Sequence, residues 1–136
     1  MAVTAQQMLM AQPVELDGEL PDLVARAVEA LGACTVACTS CAGSCLAEKD
    51  PGSLADCVVA CTDCADLCAT TARMLLRPLA NTRRSTGVTV LAACIGACET
   101  AAAECARHEL MHRHCRLCAE ACRECLQVCR ELLAAL

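Results

Sequence analysis

Residues 34–45 read CTVACTSCAGSC, four thiols in twelve residues at steps of 4, 3 and 4. Thiols at that density bind soft metal ions, close disulfides or carry redox chemistry. The chain has 16 cysteines in 136 residues and no Phe, Tyr or Trp. Three more segments share the frame. Residues 57–68, CVVACTDCADLC, match the first at 8 of 12 positions. Residues 118–129, CAEACRECLQVC, keep the same spacing, and Cys115 extends that copy by one step. Residues 94–105, CIGACETAAAEC, keep the frame with Ala101 where the third cysteine would stand.

On an α-helix, at roughly 100° per residue, steps of 4, 3 and 4 put the four sulfurs on one stripe about 60° wide and about 17 Å long. In a strand the same offsets would divide between two faces. The frame therefore predicts four helices, each with a thiol stripe: Cys34, Cys38, Cys41 and Cys45; Cys57, Cys61, Cys64 and Cys68; Cys94, Cys98 and Cys105; and Cys115, Cys118, Cys122, Cys125 and Cys129.

Breaks in the chain fit four helices of about 25 residues. Pro21 suits the first turn of the first. Asp50-Pro51-Gly52 reads as a stop and restart, with Asp50 as cap and Pro51 in the first turn. A second break falls in 78–87, and a third is expected near 108–114, where neither Gly nor Pro marks it. Residues 1–19 form a short arm with a short helix at 4–10, and residues 20–136 form the thiol-lined unit. Short connections make neighbours antiparallel, so the expected fold is all-α, an up-down-up-down four-helix bundle.

A bundle buries the stripe of each helix. Beyond the thiols the stripes turn apolar, through Leu31, Ala27 and Val24, then Leu75 and Leu79, Leu91 and Val88, and Leu132 and Leu133. Antiparallel packing gathers these at one end, a hydrophobic plug above a sulfur-lined tube. At the other end the third stripe continues as Cys105, His108, His112, with Met111 and His114 close by. That end reads as a mouth, with His108 and His112 as metal contacts and Met111 and His114 beside the path of uptake.

The pattern argues against other uses of sulfur. Neighbours on one helix are poorly placed for unstrained disulfides. Sixteen cysteines in four copies of one frame exceed what core filling by small thiols requires. C-x₃-C-x₂-C in CTVACTSC matches a radical-SAM cluster motif, but the chain is too short for such a barrel, and the ferredoxin run is absent. An Fe–S or redox protein is the alternative reading, and a zinc buffer the other, although a continuous ladder does not divide into isolated tetrahedra. Cu(I) fits better. It is soft, and two or three sulfurs suffice. Side chains at i and i+4 stand about 5–6 Å apart at Cβ, so one C-x₃-C pair can clamp an ion and facing helices can bridge to the next. Buried thiolates without counter-ions are prohibitive. The metal-free core should thus hold neutral thiols, each ion displacing a proton, with loading on the order of one Cu(I) per thiol.

The net charge of −5, with signs interspersed, gives no reason to expect nucleic acid or an anionic membrane as partner. The first residues show neither a basic n-region nor an apolar run of signal-peptide length, and no stretch reads as a transmembrane span. The expectation is a cytoplasmic protein, where dense cysteines point to metal.

Over about residues 20–135 the repeated C-x₃-C-x₂-C-x₃-C stripe, with its His-bearing end, resembles the cytosolic members of the bacterial Csp copper storage proteins. The resemblance implies a non-enzymatic homotetramer of four-helix bundles. Each would store many Cu(I) ions on its cysteines, take copper in at the histidine end and leave room for a copper chaperone as partner. Ala101 departs from the pattern and should leave a gap in the third stripe.

Overall fold

The computed structural model describes residues 2–79 and 83–136. A short helix, α1 (Ala5–Met10), precedes four long ones: α2 (Leu20–Leu46), α3 (Ala55–Leu75), α4 (Arg84–Ala106) and α5 (Arg113–Ala135). Each long helix packs on two others in the closed ring α2, α3, α4, α5, which is the four-helix bundle the periodicity implies.

The sequence sets most helix ends. At α1, Thr4 Oγ1 accepts from the Gln7 backbone N–H at 3.1 Å and Gln7 Oε1 accepts from the Thr4 N–H at 2.9 Å, a capping box. Gly18 takes φ +60°, the turn before α2, and Pro21 lies in the first turn of α2. Pro51 opens a 3₁₀ turn, Pro51–Leu54, ahead of α3. Asp50, expected from sequence to cap it, makes no side-chain cap hydrogen bond. Its carbonyl instead accepts the Ser53 hydroxyl at 2.9 Å. The centre of the predicted 78–87 break, residues 80–82, lies outside the described residues.

The third connection runs through 107–111. The His112 N–H donates to the His108 carbonyl at 3.0 Å, and His112 itself is extended, with φ −132° and ψ 117°. No breaker residue marks the reversal, but the stripe demands it. Ten residues of continuous helix turn the chain by about 1000°, roughly 80° short of three full turns, so Cys105 and Cys115 could not share a face without a reversal between them.

The plug forms as expected, with one change of residue. Val24, Ala27, Leu31, Leu75, Leu91 and Leu132 are at most 1% exposed. Leu79 is buried, and Leu133 packs against the core from a half-buried position. Val88, predicted inside, is 36% exposed. The α4 stripe continues upward from Leu91 by four residues, to buried Gly87, and not by three. Leu79 Cδ2 lies 3.7 Å from where a Cβ on Gly87 would stand, so the Leu79 side chain packs over Gly87 at ordinary contact distance.

Two helices, Leu20–Leu46 and Arg84–Ala106, are long and apolar enough to cross a membrane, with mean hydropathy 1.3 and 1.5. This corrects the expectation that no stretch approaches a span. Thiols count heavily on the apolar side, and these helices carry four and three of them. In the bundle those thiols face the other helices.

Candidate metal centre

All sixteen cysteines are free thiols, each at most 1% exposed. The close sulfur pairs are of two kinds. Along a helix, i and i+4 neighbours meet: Cys34 and Cys38 at 3.9 Å, Cys57 and Cys61 at 3.9 Å, Cys64 and Cys68 at 3.8 Å, Cys125 and Cys129 at 3.9 Å. Between helices the distances run from 3.4 Å for Cys61 and Cys105, through 3.6 Å each for Cys57 and Cys105, Cys64 and Cys98, and Cys68 and Cys94, to 4.0 Å for Cys41 and Cys115.

These distances suit bridging. With a metal–thiolate bond of about 2.3 Å, two sulfurs on one ion stand about 3.8 Å apart at a tetrahedral angle, about 4.0 Å at a trigonal angle and about 4.6 Å in a line. Larger groups satisfy the same limit. Cys34, Cys68, Cys98 and Cys125, one from each long helix, lie within 4.8 Å of one another, as do Cys34, Cys38, Cys64 and Cys122, and Cys41, Cys57, Cys61 and Cys105. Shared members such as Cys34 join neighbouring groups into a ladder.

The histidines are placed differently from the stripe argument. His114 has Nδ1 3.3 Å from Cys41 Sγ and 3.6 Å from Cys115 Sγ, and these three residues group with Cys45 within 4.8 Å. Its Nε2 lies 3.0 Å from Glu48 Oε1. A carboxylate there accepts the Nε2–H and leaves Nδ1 as the lone-pair face toward the sulfurs, the arrangement metal-binding histidines share. His112 stacks on His114 with ring centroids 5.4 Å apart and sets Nδ1 3.4 Å from the same Glu48 oxygen. His108 is half-buried in the turn after α4, and among the described residues no hydrogen bond joins its ring to a sulfur. Met111 is 80% exposed. Because α4 ends at Ala106, His108 and His112 leave the helical phase that put them in line with Cys105.

Two residues escaped the sequence reading. Glu48 follows Cys45 by three residues, on the stripe of α2 carried one step past the helix, so the phase that found the thiols could have found it. Thr71 follows Cys68 by three on α3 and is fully buried, its hydroxyl beside the Cys94 thiol and without a close hydrogen bond among the described residues. Thr35, Thr62, Thr89 and Thr100 instead donate to the carbonyl four residues back, at 2.7–3.2 Å. Thr71 marks where the sulfur stripe of α3 gives way to the plug.

Burial pushes the Cys45 thiol up to about 11, with repulsion from Cys57 second, and the Cys115 thiol up to about 12, with repulsion from Cys45 and Cys57 adding to it. Both lie above the ordinary 9.0. A raised folded pKa means the folded chain holds the proton more tightly. The resulting stability is full below the unfolded value and is lost as pH rises through the folded one. The metal-free bundle is therefore expected to soften between about pH 9 and pH 12, and the copper-loaded one, whose sulfurs have already released their protons, to be indifferent there. Anaerobic thermal melts of both forms across that range check this, and parallel pH profiles for the two would refute it.

Four helices around a buried ladder of thiols, with a Cys/His group at one end, define a multi-ion metal-holding bundle. The chain belongs to the copper storage protein (Csp) family, whose profile matches residues 21–134. Among solved structures it is similar to the copper storage protein Ccsp from Streptomyces lividans loaded with 10 copper equivalents. The identity is 42% over 98% of this chain and 100% of that one, with a TM-score of 0.92. A second structure of that cytosolic protein, with five coppers, matches at 45% identity over 85% of this chain and 95% of the other, with a TM-score of 0.82. A double His-to-Ala variant of it matches at 44% identity over 85% and 96%, with a TM-score of 0.79. No curated protein matches the chain.

Proposed function

We propose that this chain stores Cu(I) in the cytosol, holding many ions on the cysteines of its core and keeping them from reaction. The continuous ladder of free, buried sulfurs at bridging distance carries the reading. Soft thiolates select the monovalent ion. Each ion displaces a proton, so the loaded core stays near neutral without buried counter-ions. All sixteen cysteines are the proposed ligands. The proposal assigns no catalytic step to the chain, and a homotetramer and a copper chaperone as donor belong to it.

Copper enters at the histidine end. The supporting geometry is the group of Cys41, Cys45, Cys115 and His114, with Glu48 behind the imidazole and His112 stacked on it. His114 takes the ligand role next to the sulfurs, and His108, His112 and Met111 stand outside it along the path. Protein purified anaerobically from copper-fed cells is expected to carry copper on the order of one ion per thiol. Iron or zinc in its place on elemental analysis would overturn the reading. Replacing His108 and His112 together by Phe should slow Cu(I) uptake more than it lowers the final load. An unchanged uptake rate would move the mouth elsewhere.

A further inference from the structure

Ala101 is fully buried where the α4 frame calls for a third cysteine. The ladder narrows at that level. On the plug side stand the four-sulfur groups built on Cys34, and on the mouth side Cys41, Cys57, Cys61 and Cys105. Between them is a group of three, Cys38, Cys61 and Cys118, from α2, α3 and α5. On α4, Cys98 turns toward Cys64 and Cys125 on the plug side, at 3.6 and 3.8 Å. Cys105 turns toward Cys57 and Cys61 on the mouth side. Nothing on α4 bridges the step between them, because Ala101 has no ligand atom.

The contact network narrows at the same place. Among the described residues, the Cys118 and Cys122 thiols interact along α5, and every other sulfur–sulfur hydrogen bond that joins Cys57, Cys61, Cys105 and Cys118 to the plug-side half runs through Cys38. It lies 3.6 Å from Cys118 on one side, and 3.5 Å from Cys122 and 3.9 Å from Cys34 on the other.

We propose that Cys38, Cys61 and Cys118 form a three-thiolate Cu(I) site, a waist left by Ala101, through which ions pass singly from a mouth-side bank to a deep bank. This rests on the copper storage reading. An ion held by Cys61 and Cys118 gains Cys38 as a third ligand. The Cys38 thiol proton passes to Cys61 as that thiolate releases the ion. The ion then moves from Cys38 and Cys118 to Cys38 and Cys122, and the proton leaving Cys122 passes to Cys118. Copper stays monovalent throughout, so no oxidant or reductant is needed. The mouth-side bank fills first and fast. The deep bank, out to Cys94 and Cys129, fills at the rate the waist allows.

The test mixes the metal-free chain with Cu(I) supplied as its acetonitrile complex, anaerobically, and follows the ultraviolet Cu–thiolate absorbance by stopped flow. Wild type should load in a fast and a slow phase. Cys38→Ser should keep the fast phase and slow the second by about tenfold, the scale of a lost positioning contact at a metal site. Ala101→Cys restores a route along α4, with neighbours three residues before and four after, so it should speed the slow phase. The double variant should regain near wild-type loading, a rescue that a purely structural role for Cys38 would not give. Loading in one phase, or a double variant as slow as Cys38→Ser, overturns the waist while leaving storage intact. A wild type that takes up no more than an ion or two overturns both. If Cys38→Ser proves unfolded by circular dichroism, Ala101→Cys alone decides, and an unaltered slow phase refutes the proposal.

Discussion

Filling the chain with Cu(I) is expected to raise its thermal midpoint by more than about 20 °C. The wall of the core is built from cysteine and alanine, with no aromatic ring. Such a wall buries little apolar area per residue compared with one of Leu and Phe. Ions joined to sulfurs of several helices add what the wall lacks. One structural metal in a small domain contributes about 10–16 kcal/mol, and about 1 kcal/mol moves the midpoint of a chain this size by roughly 3–6 °C. Copper held by unfolded thiols reduces the gain without cancelling it, because the unfolded chain cannot hold Cys34, Cys68, Cys98 and Cys125 around one point. Anaerobic melts followed by circular dichroism give the number. A shift of only a few degrees would mean that the ions sit on the surface or within single helices.

Leu31→Ala should lower the unfolding free energy of the metal-free chain by about 2–5 kcal/mol and leave the loaded chain folded. Leu31, Leu75, Leu91 and Leu132 are the fully buried leucines of the plug, all at most 1% exposed. Truncating such a side chain costs about 2–5 kcal/mol, a large share of the roughly 5–15 kcal/mol that holds a typical domain. The plug can be replaced neither by sulfur nor by metal, so before loading it is the main apolar anchor of the four helices. Urea titration of both forms separates the two contributions. A loaded variant that unfolds at the same urea concentration as the metal-free variant would show that copper does not cross-link the bundle.

The helices and their buried faces were legible because one chemical group repeats in helical phase. Sixteen thiols at steps of 4 and 3 fix which side of each helix turns inward, and the plug follows by extending the phase through Leu31, Leu75 and Leu132. The extension failed where two continuations were open. From Leu91 both Val88 and Gly87 are in phase, and only the Leu79 side chain against Gly87 decides. The Cys/His end was legible as a region but not residue by residue. The ranking of His108 and His112 over His114 assumed that α4 continues, whereas it ends at Ala106 and α5 restarts with His114 beside Cys115. Glu48 went unread because a carboxylate past a helix end looks like a solvated charge until the imidazole it supports is in place.

Among the described residues the shortest sulfur–sulfur contact, 3.4 Å between Cys61 and Cys105, belongs to two different helices. A disulfide needs those atoms at about 2.05 Å, so a small approach would staple α3 to α4 and remove two ligands at once. The lone pairs that receive copper are the same ones an oxidant would take. The protein waiting for cargo is thus the form most exposed to damage, and a filled core is protected by its contents. Under oxidative stress, capacity would be lost first in the molecules that had room to spare.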